Sequence, residues 1–215
     1  MVSFILGTFP YLAKGAINTL YLSAICLVLG LIIGIISGVL SVIPIKFVRG
    51  IIFIYVYLIR GIPLLVLLFL TYYILPLFGI ELNAGIAAAA SISIYNAAFI
   101  SEIIRGAILT LPAGQTDAAK SLGMKYLQYM RKVILPQSLR YSIPPIVNVA
   151  LMCIKFTALV SIISVSELTL AGKELAEVTL KPFHIYAEVA IIYFIFCFSL
   201  SRLGLYLEKK LHFEQ

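Results

Sequence analysis

Charge is what this sequence has least of. Asp, Glu, Lys and Arg make up 12% of its 215 residues, where a soluble domain carries roughly a quarter. With 62% of residues hydrophobic and a mean hydropathy of +1.11, there are too few polar side chains to coat a surface facing water. A soluble domain is excluded, and the chain is read as an integral membrane protein. Histidine is almost missing. His184 and His212 form no cluster with a nucleophile or metal ligand in a span, which speaks against a membrane enzyme. The three cysteines, Cys26, Cys153 and Cys197, lie in apolar runs without metal-like spacing and are read as small packing residues. The roughly ten-residue alternating segments of a barrel are missing. So is an internal repeat, which argues against an inverted-repeat carrier within one chain. No leader peptide is expected, because the first positive charge, Lys14, follows apolar residues and no small-residue cleavage pattern comes after it.

What is present is a series of long apolar runs. Five reach the length of about 20 residues that a helical span needs: Gly15–Ile43, Ile51–Phe78, Ala84–Leu111, Ser138–Ile163 and Phe183–Leu207. The fold expected is all-α and membrane-integral, with five transmembrane helices in a single transmembrane domain over residues 1–215. Residues Met1–Tyr11 are apolar but interrupted by Pro10, and read as an interfacial segment. Gly30, Gly34 and Gly38 form a small-residue ladder that allows close helix packing, within the subunit or between subunits. Pro63 predicts a kink in the second span. Arg60, just before it, either snorkels or takes part in a pathway. Glu102 and Arg105 stand at i, i+3 and can pair.

The net charge of +7 is distributed as an orientation signal rather than as a nucleic-acid surface. Lys46, Arg49, Arg105, Lys120, Lys125, Arg131, Lys132, Arg140, Arg202, Lys209 and Lys210 fall on one side. Only Lys14, Lys173 and Lys181 fall on the other. The positive-inside rule puts the first group, and the C-terminus, in the cytoplasm and the N-terminus outside.

One polar stretch, Thr116–Pro136, breaks the apolar pattern. Thr110 reads as an N-cap and Pro112 as an early helical residue. Asp117, Ala118 and Ala119 follow on a short helix that Gly123 ends in a left-handed conformation. A second short helix, Lys125–Leu135, then runs to Pro136. The product is a helix–turn–helix elbow over residues 112–135. Ala118 and Ala119 leave room for a partner's groove, Leu122 and Tyr126 offer apolar anchors, and Lys120 sits at the rim.

Asp117-Ala118-Ala119, Gly123, Val133 and Leu135-Pro136 resemble the EAA loop of ABC importer permeases, with Asp for Glu and Val for Ile. Arg60-Gly61-Ile62-Pro63-Leu64 and Ser101-Glu102-Ile103-Ile104-Arg105-Gly106 are similar to motifs of the polar amino-acid subfamily. Leu135-Pro136-Gln137 and Val165-Ser166-Glu167-Leu168-Thr169 fit as well. The resemblance covers roughly residues 15–210. It implies a permease subunit of a histidine/arginine/glutamine-type importer. Cytoplasmic ABC ATPases would dock on the elbow, a second permease copy or sister subunit would complete the pathway, and an extracytoplasmic binding protein would deliver substrate. The chain has no G-x-x-x-x-G-K-[ST] stretch, so ATP and Mg are expected on the partner, with no cofactor here. One departure stands out: Lys155-Phe156-Thr157-Ala158-Leu159 occupies the place of the family's Lys-Asp-Thr-Ser-Leu.

An amino-acid pathway needs a few polar groups on inward faces. Those expected are Arg60, Tyr95, Asn96, Phe99, Ser101 and Glu102, then Lys155, Thr157, Ser161, Ser164 and Glu167. Thr157, Ser161 and Ser164 would share one α-helical face, although each hydroxyl can also bond its own backbone. Glu167 is expected to meet a basic substrate. The competing reading is a self-sufficient ion-coupled carrier or channel.

Overall fold

The computed structural model describes residues 2–211, and the side chains of residues 7–210. His212 lies outside them. The described chain is helical throughout, without strands. The long helices are α1 (Val2–Leu40), α4 (Ala84–Thr110), α7 (Leu135–Phe156) and α9 (Pro182–Leu211). Shorter ones are α2 (Lys46–Gly61), α3 (Leu64–Phe69), α5 (Ala113–Ser121), α6 (Tyr126–Tyr129) and α8 (Leu168–Thr179). Four helical stretches are long and apolar enough to cross a membrane, and the bent pair Lys46–Gly61 and Leu64–Phe78 makes a fifth.

The glycine ladder organises the bundle. A Cβ at Gly30 would come within 2.9 Å of Asn96, and at Gly34 and Gly38 within 2.6 Å of Ile100 and Ile104. The bare stripe of α1 is therefore spent on α4, inside the subunit, where the backbones approach closely. Gly15 does the same against α8, where a Cβ would meet Ala171 at 2.8 Å. On the other flank α4 packs on α7, and α7 and α8 pack on α9. A central apolar cluster of Cys26, Leu64, Leu68, Ala88, Ile92, Cys153 and Val160 joins α1, α3, α4, α7 and the 3₁₀ turn Thr157–Ile163 that follows it.

Several local expectations need correction. Of the segment Met1–Tyr11, Met1 lies outside the described residues, and Val2–Tyr11 are continuous with the first span rather than a separate element. Helix α1 runs without a break through Pro10. Its 39 residues extend for about 58 Å at 1.5 Å each, roughly twice the hydrocarbon thickness. Near its start it is tied to α9 and α8: the Thr8 hydroxyl donates to Glu188 at 2.8 Å, and the Tyr11 hydroxyl to Glu174. At Pro63 the expected kink is a break of 105°. Ile62 is extended (φ −97°, ψ 130°) and Pro63 caps α3, as the steric demand of a proline on its predecessor requires. Thr110 is no N-cap. It ends α4, its hydroxyl donating back to the Gly106 carbonyl at 2.8 Å, and Pro112 is the residue that precedes α5. The second elbow helix does not stop at Pro136 either. A widened turn over Met130–Ile134, with the Leu135 N–H on the Met130 carbonyl, absorbs the proline, and the helix continues to Phe156. The extra residue in that turn shifts the carbonyl with which the ring would collide.

Candidate functional site

The elbow is built on backbone chemistry. Gly123 has φ +73°, a region that costs other residues about 1–2 kcal/mol. Its N–H donates to the Lys120 carbonyl at 2.8 Å, and the Met124 N–H to the Ala119 carbonyl at 3.1 Å. These paired bonds are a Schellman closure of α5. The helix therefore stops at Ser121 and the chain reverses into α6, whose Lys125 N–H is capped by Gln128 at 2.8 Å.

The side chains divide into two sets. Ala119 is buried, and Tyr126 is half-buried, turned inward on the cluster of Ile104 and Met130 and edge to face with Tyr129, ring centroids 5.4 Å apart. Tyr126 is thus an inward anchor of the elbow, not the outward one expected. Ala118, Asp117, Lys120 and Gly123 face outward, and Asp117 lies 3.9 Å from Lys120. Leu122 is 82% exposed and Leu127 is 76% exposed. Leu127 was not anticipated, although its place one turn beyond the Gly123 reversal marks it.

The expected pathway residues do not form one site. Arg60, Phe99, Ser101 and Glu102 line a cleft of 1420 Å³ between α2 and α4, joined by Lys46, Arg49, Phe53, Tyr57 and Arg105. The Arg60 guanidinium stands 5.0 Å from the Phe99 ring centroid, a cation–π geometry. Glu102 is held by Arg105 through two bonds, one from Nε at 2.9 Å. Tyr95 joins Phe99 to Phe156 in an aromatic wall, with centroids 5.1 and 5.5 Å apart. Asn96 is buried where α1 meets α4, and its Nδ2 lacks a partner among the described residues. Lys155 is exposed on α7.

Two expectations fail here. Thr157, Ser161 and Ser164 share no α-helical face, because Thr157–Ile163 is a 3₁₀ helix and Ser164 ends it at φ +60°. At three residues per turn, positions four apart diverge. The Thr157 and Ser161 hydroxyls donate to the Ile154 and Ala158 carbonyls, each at 2.7 Å. Glu167 is not free for a substrate. It is 1% exposed and caps α8, accepting from the Thr169 N–H at 2.8 Å, the Leu170 N–H at 2.7 Å and the Tyr193 hydroxyl at 2.8 Å. Lys46 and Arg49, whose charges mark orientation in the sequence, are cleft residues as well. Their positions with Arg60 on one face of α2 were the available clue.

Residues 30–213 match the family described as binding-protein-dependent transport system inner membrane component. The chain belongs to this family. A probable amino-acid ABC transporter permease of Bacillus subtilis, YckA, is 37% identical over 203 residues, covering 94% of this chain and 90% of that protein. The L-cystine permease TcyB of the same organism is also 37% identical, with 94% and 87% covered. Among solved structures, an amino acid ABC transporter with histidines matches at TM-score 0.90 and 32% identity, over 96% of each chain. The MetNI methionine transporter matches at TM-score 0.81 and 20% identity, over 94% and 97%, and shows the fold alone. As a binding-protein-dependent permease the chain is a multi-pass membrane transport subunit of type I importer architecture, without ATPase activity of its own. A self-sufficient carrier finds no support among these relatives.

Proposed function

We propose that this permease imports polar or basic L-amino acids by alternating access, driven by cytoplasmic ABC ATPases that bind ATP and Mg. The membership of the family and the amino-acid transporters among its relatives support the substrate class. The observation that carries the mechanism is the elbow: a short helix closed at Gly123, presenting Leu122 and Leu127 outward on a base fixed by Ala119 and Tyr126. Two exposed leucines rimmed by Lys120 and Lys125 are an apolar centre with a polar rim, the anatomy of a protein interface. The elbow joins α4 directly to α7, so force applied there reaches the helices that carry Phe99, Glu102 and Phe156.

The positive-inside distribution supports an orientation with the elbow and the C-terminus in the cytoplasm and the N-terminus outside. The α2–α4 cleft is this subunit's share of the pathway, completed by a second permease copy or a sister subunit. An extracytoplasmic binding protein delivers the amino acid at the opposite end. The test is assembly. Leu122→Asp and Gly123→Val are each expressed with the ATPase and purified by a tag on the permease. Both variants are expected to lose the ATPase while the permease stays monodisperse. Retention of the ATPase at wild-type stoichiometry by both contradicts the docking role.

A further inference from the structure

The break in the second span leaves backbone unpaired at membrane depth. Pro63 has no N–H to offer the Ile59 carbonyl. Ile62 is extended, the chain turns through 105°, and the carbonyls of Arg60 and Gly61 accept no backbone N–H among the described residues. Arg60 stands over Phe99, which lies about 16 Å from the Thr110 end of α4, roughly half of the ~30 Å hydrocarbon. Irregular backbone at that depth is tolerated where it is buried in protein or lines a water-filled cavity. Arg60 and Gly61 line the α2–α4 cleft, so the break opens on the cleft.

Two opposite charges meet at this break. The open carbonyls are the negative end of α2, and the Arg60 guanidinium is a positive fork. Arg60 makes no ion pair among the described residues. Glu102, the one carboxylate lining the cleft, is held by Arg105. A free α-amino acid carries the complementary pair: an ammonium that donates to carbonyls and a carboxylate that accepts from a guanidinium. Beyond Arg60 the wall is aromatic. Phe99, Tyr95 and Phe156 follow one another with ring centroids 5.1 and 5.5 Å apart. These rings offer a side chain apolar faces and no counter-charge. Lys46, Arg49 and Arg105 add further positive charge to the cleft. A cationic side chain would lose its water there without gaining a carboxylate, at a far higher cost than a neutral one.

We infer that the break at Gly61–Pro63 binds the α-ammonium and α-carboxylate of the substrate, with Arg60 on the carboxylate, and that the aromatic wall selects an uncharged side chain. The inference rests on the proposed import of amino acids and narrows it. The permease–ATPase complex in nanodiscs, without binding protein, is titrated with radiolabelled L-glutamine, L-leucine, L-phenylalanine, L-arginine and L-glutamate. ATP-driven uptake of the same five by the complete transporter is measured in proteoliposomes. A neutral amino acid is expected to bind at least tenfold more tightly than L-arginine or L-glutamate, and its α-amide and N-acetyl derivatives to lose binding. In assembled complex, Arg60→Gln is expected to weaken that binding roughly 10–100-fold, the worth of a hydrogen bond to a charged group, and Arg60→Lys to recover part of it. If Arg60 only neutralised the end of α2, Arg60→Gln would lower the melting temperature and leave Kd unchanged. Phe156→Asp, which puts a carboxylate on the wall, is expected to tighten L-arginine binding at least tenfold, a gain that misfolding does not produce. Gly106→Ala is expected to bind as wild type does. Tightest wild-type binding of L-arginine or L-glutamate, full binding of the blocked derivatives, or undiminished binding by Arg60→Gln overturns the inference, as does no gain in assembled Phe156→Asp. If uptake is ATP-driven in those cases, the import reading stands. Should a variant fail to assemble, the wild-type panel and the blocked derivatives still decide. A complete transporter that imports none of the five amino acids contradicts the import reading itself.

Discussion

At the scale of single residues, close packing and capping make separable predictions. A side chain at Gly34 has no space, with Ile100 Cβ at 2.6 Å and the Ala97 carbonyl at 3.0 Å from a built Cβ. Gly34→Leu is expected to destabilise the bundle by at least ~1–3 kcal/mol, the usual cost of overpacking, seen as a lower melting temperature in detergent. Gly106 has nothing within 4 Å and lies inside α4, so Gly106→Ala is expected to be neutral or to stabilise by up to ~1 kcal/mol. The same thermal scan reads both. Glu167 gives a second pair. Glu167→Ala removes a helix cap, worth about 0.5–2 kcal/mol, and one acceptor of the half-buried Tyr193 hydroxyl, which keeps Thr169 Oγ1 at 3.0 Å. Glu167→Gln keeps one acceptor and is expected to fall between wild type and Glu167→Ala in stability. Its KM for uptake is expected to stay at the wild-type value. A KM raised tenfold with unaltered stability would return Glu167 to the substrate.

At the scale of elements, the prolines separate what a sequence discloses from what it leaves to context. Pro63 and Pro136 look alike as breaks in apolar runs. At Pro63 the chain turns through 105°, because Leu64 and Leu68 beyond it are drawn into the central core while α2 stays on the rim. At Pro136 the widened turn lets Met130 and Ile134 reach their own core positions, and the helix goes on. The missing N–H is the same in both; which way the chain yields is set by the packing on either side. If Pro63 holds the break open, Pro63→Ala lengthens the path between spin labels at Phe47 and Leu77. Two arms bent at the observed 105° leave these ends ~28 Å apart, whereas one straight helix would put them at ~45 Å. A pulsed dipolar measurement is expected to show added population at the longer distance. An unchanged distribution would assign the break to packing alone.

At the scale of the molecule, the spans were legible because hydropathy is additive along the chain. The Gly123 reversal was legible because a left-handed residue is a local demand. The glycine ladder could be read as a close-packing face, but not as belonging to α4, because a bare backbone carries no address. The pathway set was least legible. Ser161 and Ser164 depend on whether the end of α7 stays α-helical or tightens to 3₁₀, and Glu167 depends on a tyrosine 26 positions away. Charge counts for Lys46 and Arg49 gave an orientation but not the cleft they line, since that cleft exists only once α2 leans on α4.

The central claim is that the elbow carries the work of ATP hydrolysis into the spans. Its most direct test is ATP-driven amino-acid uptake into proteoliposomes by the complete transporter carrying Leu122→Asp, with folding of the permease checked in the same preparation. The account predicts uptake at background while the permease keeps its wild-type melting temperature. Uptake at the wild-type rate from that variant would contradict it.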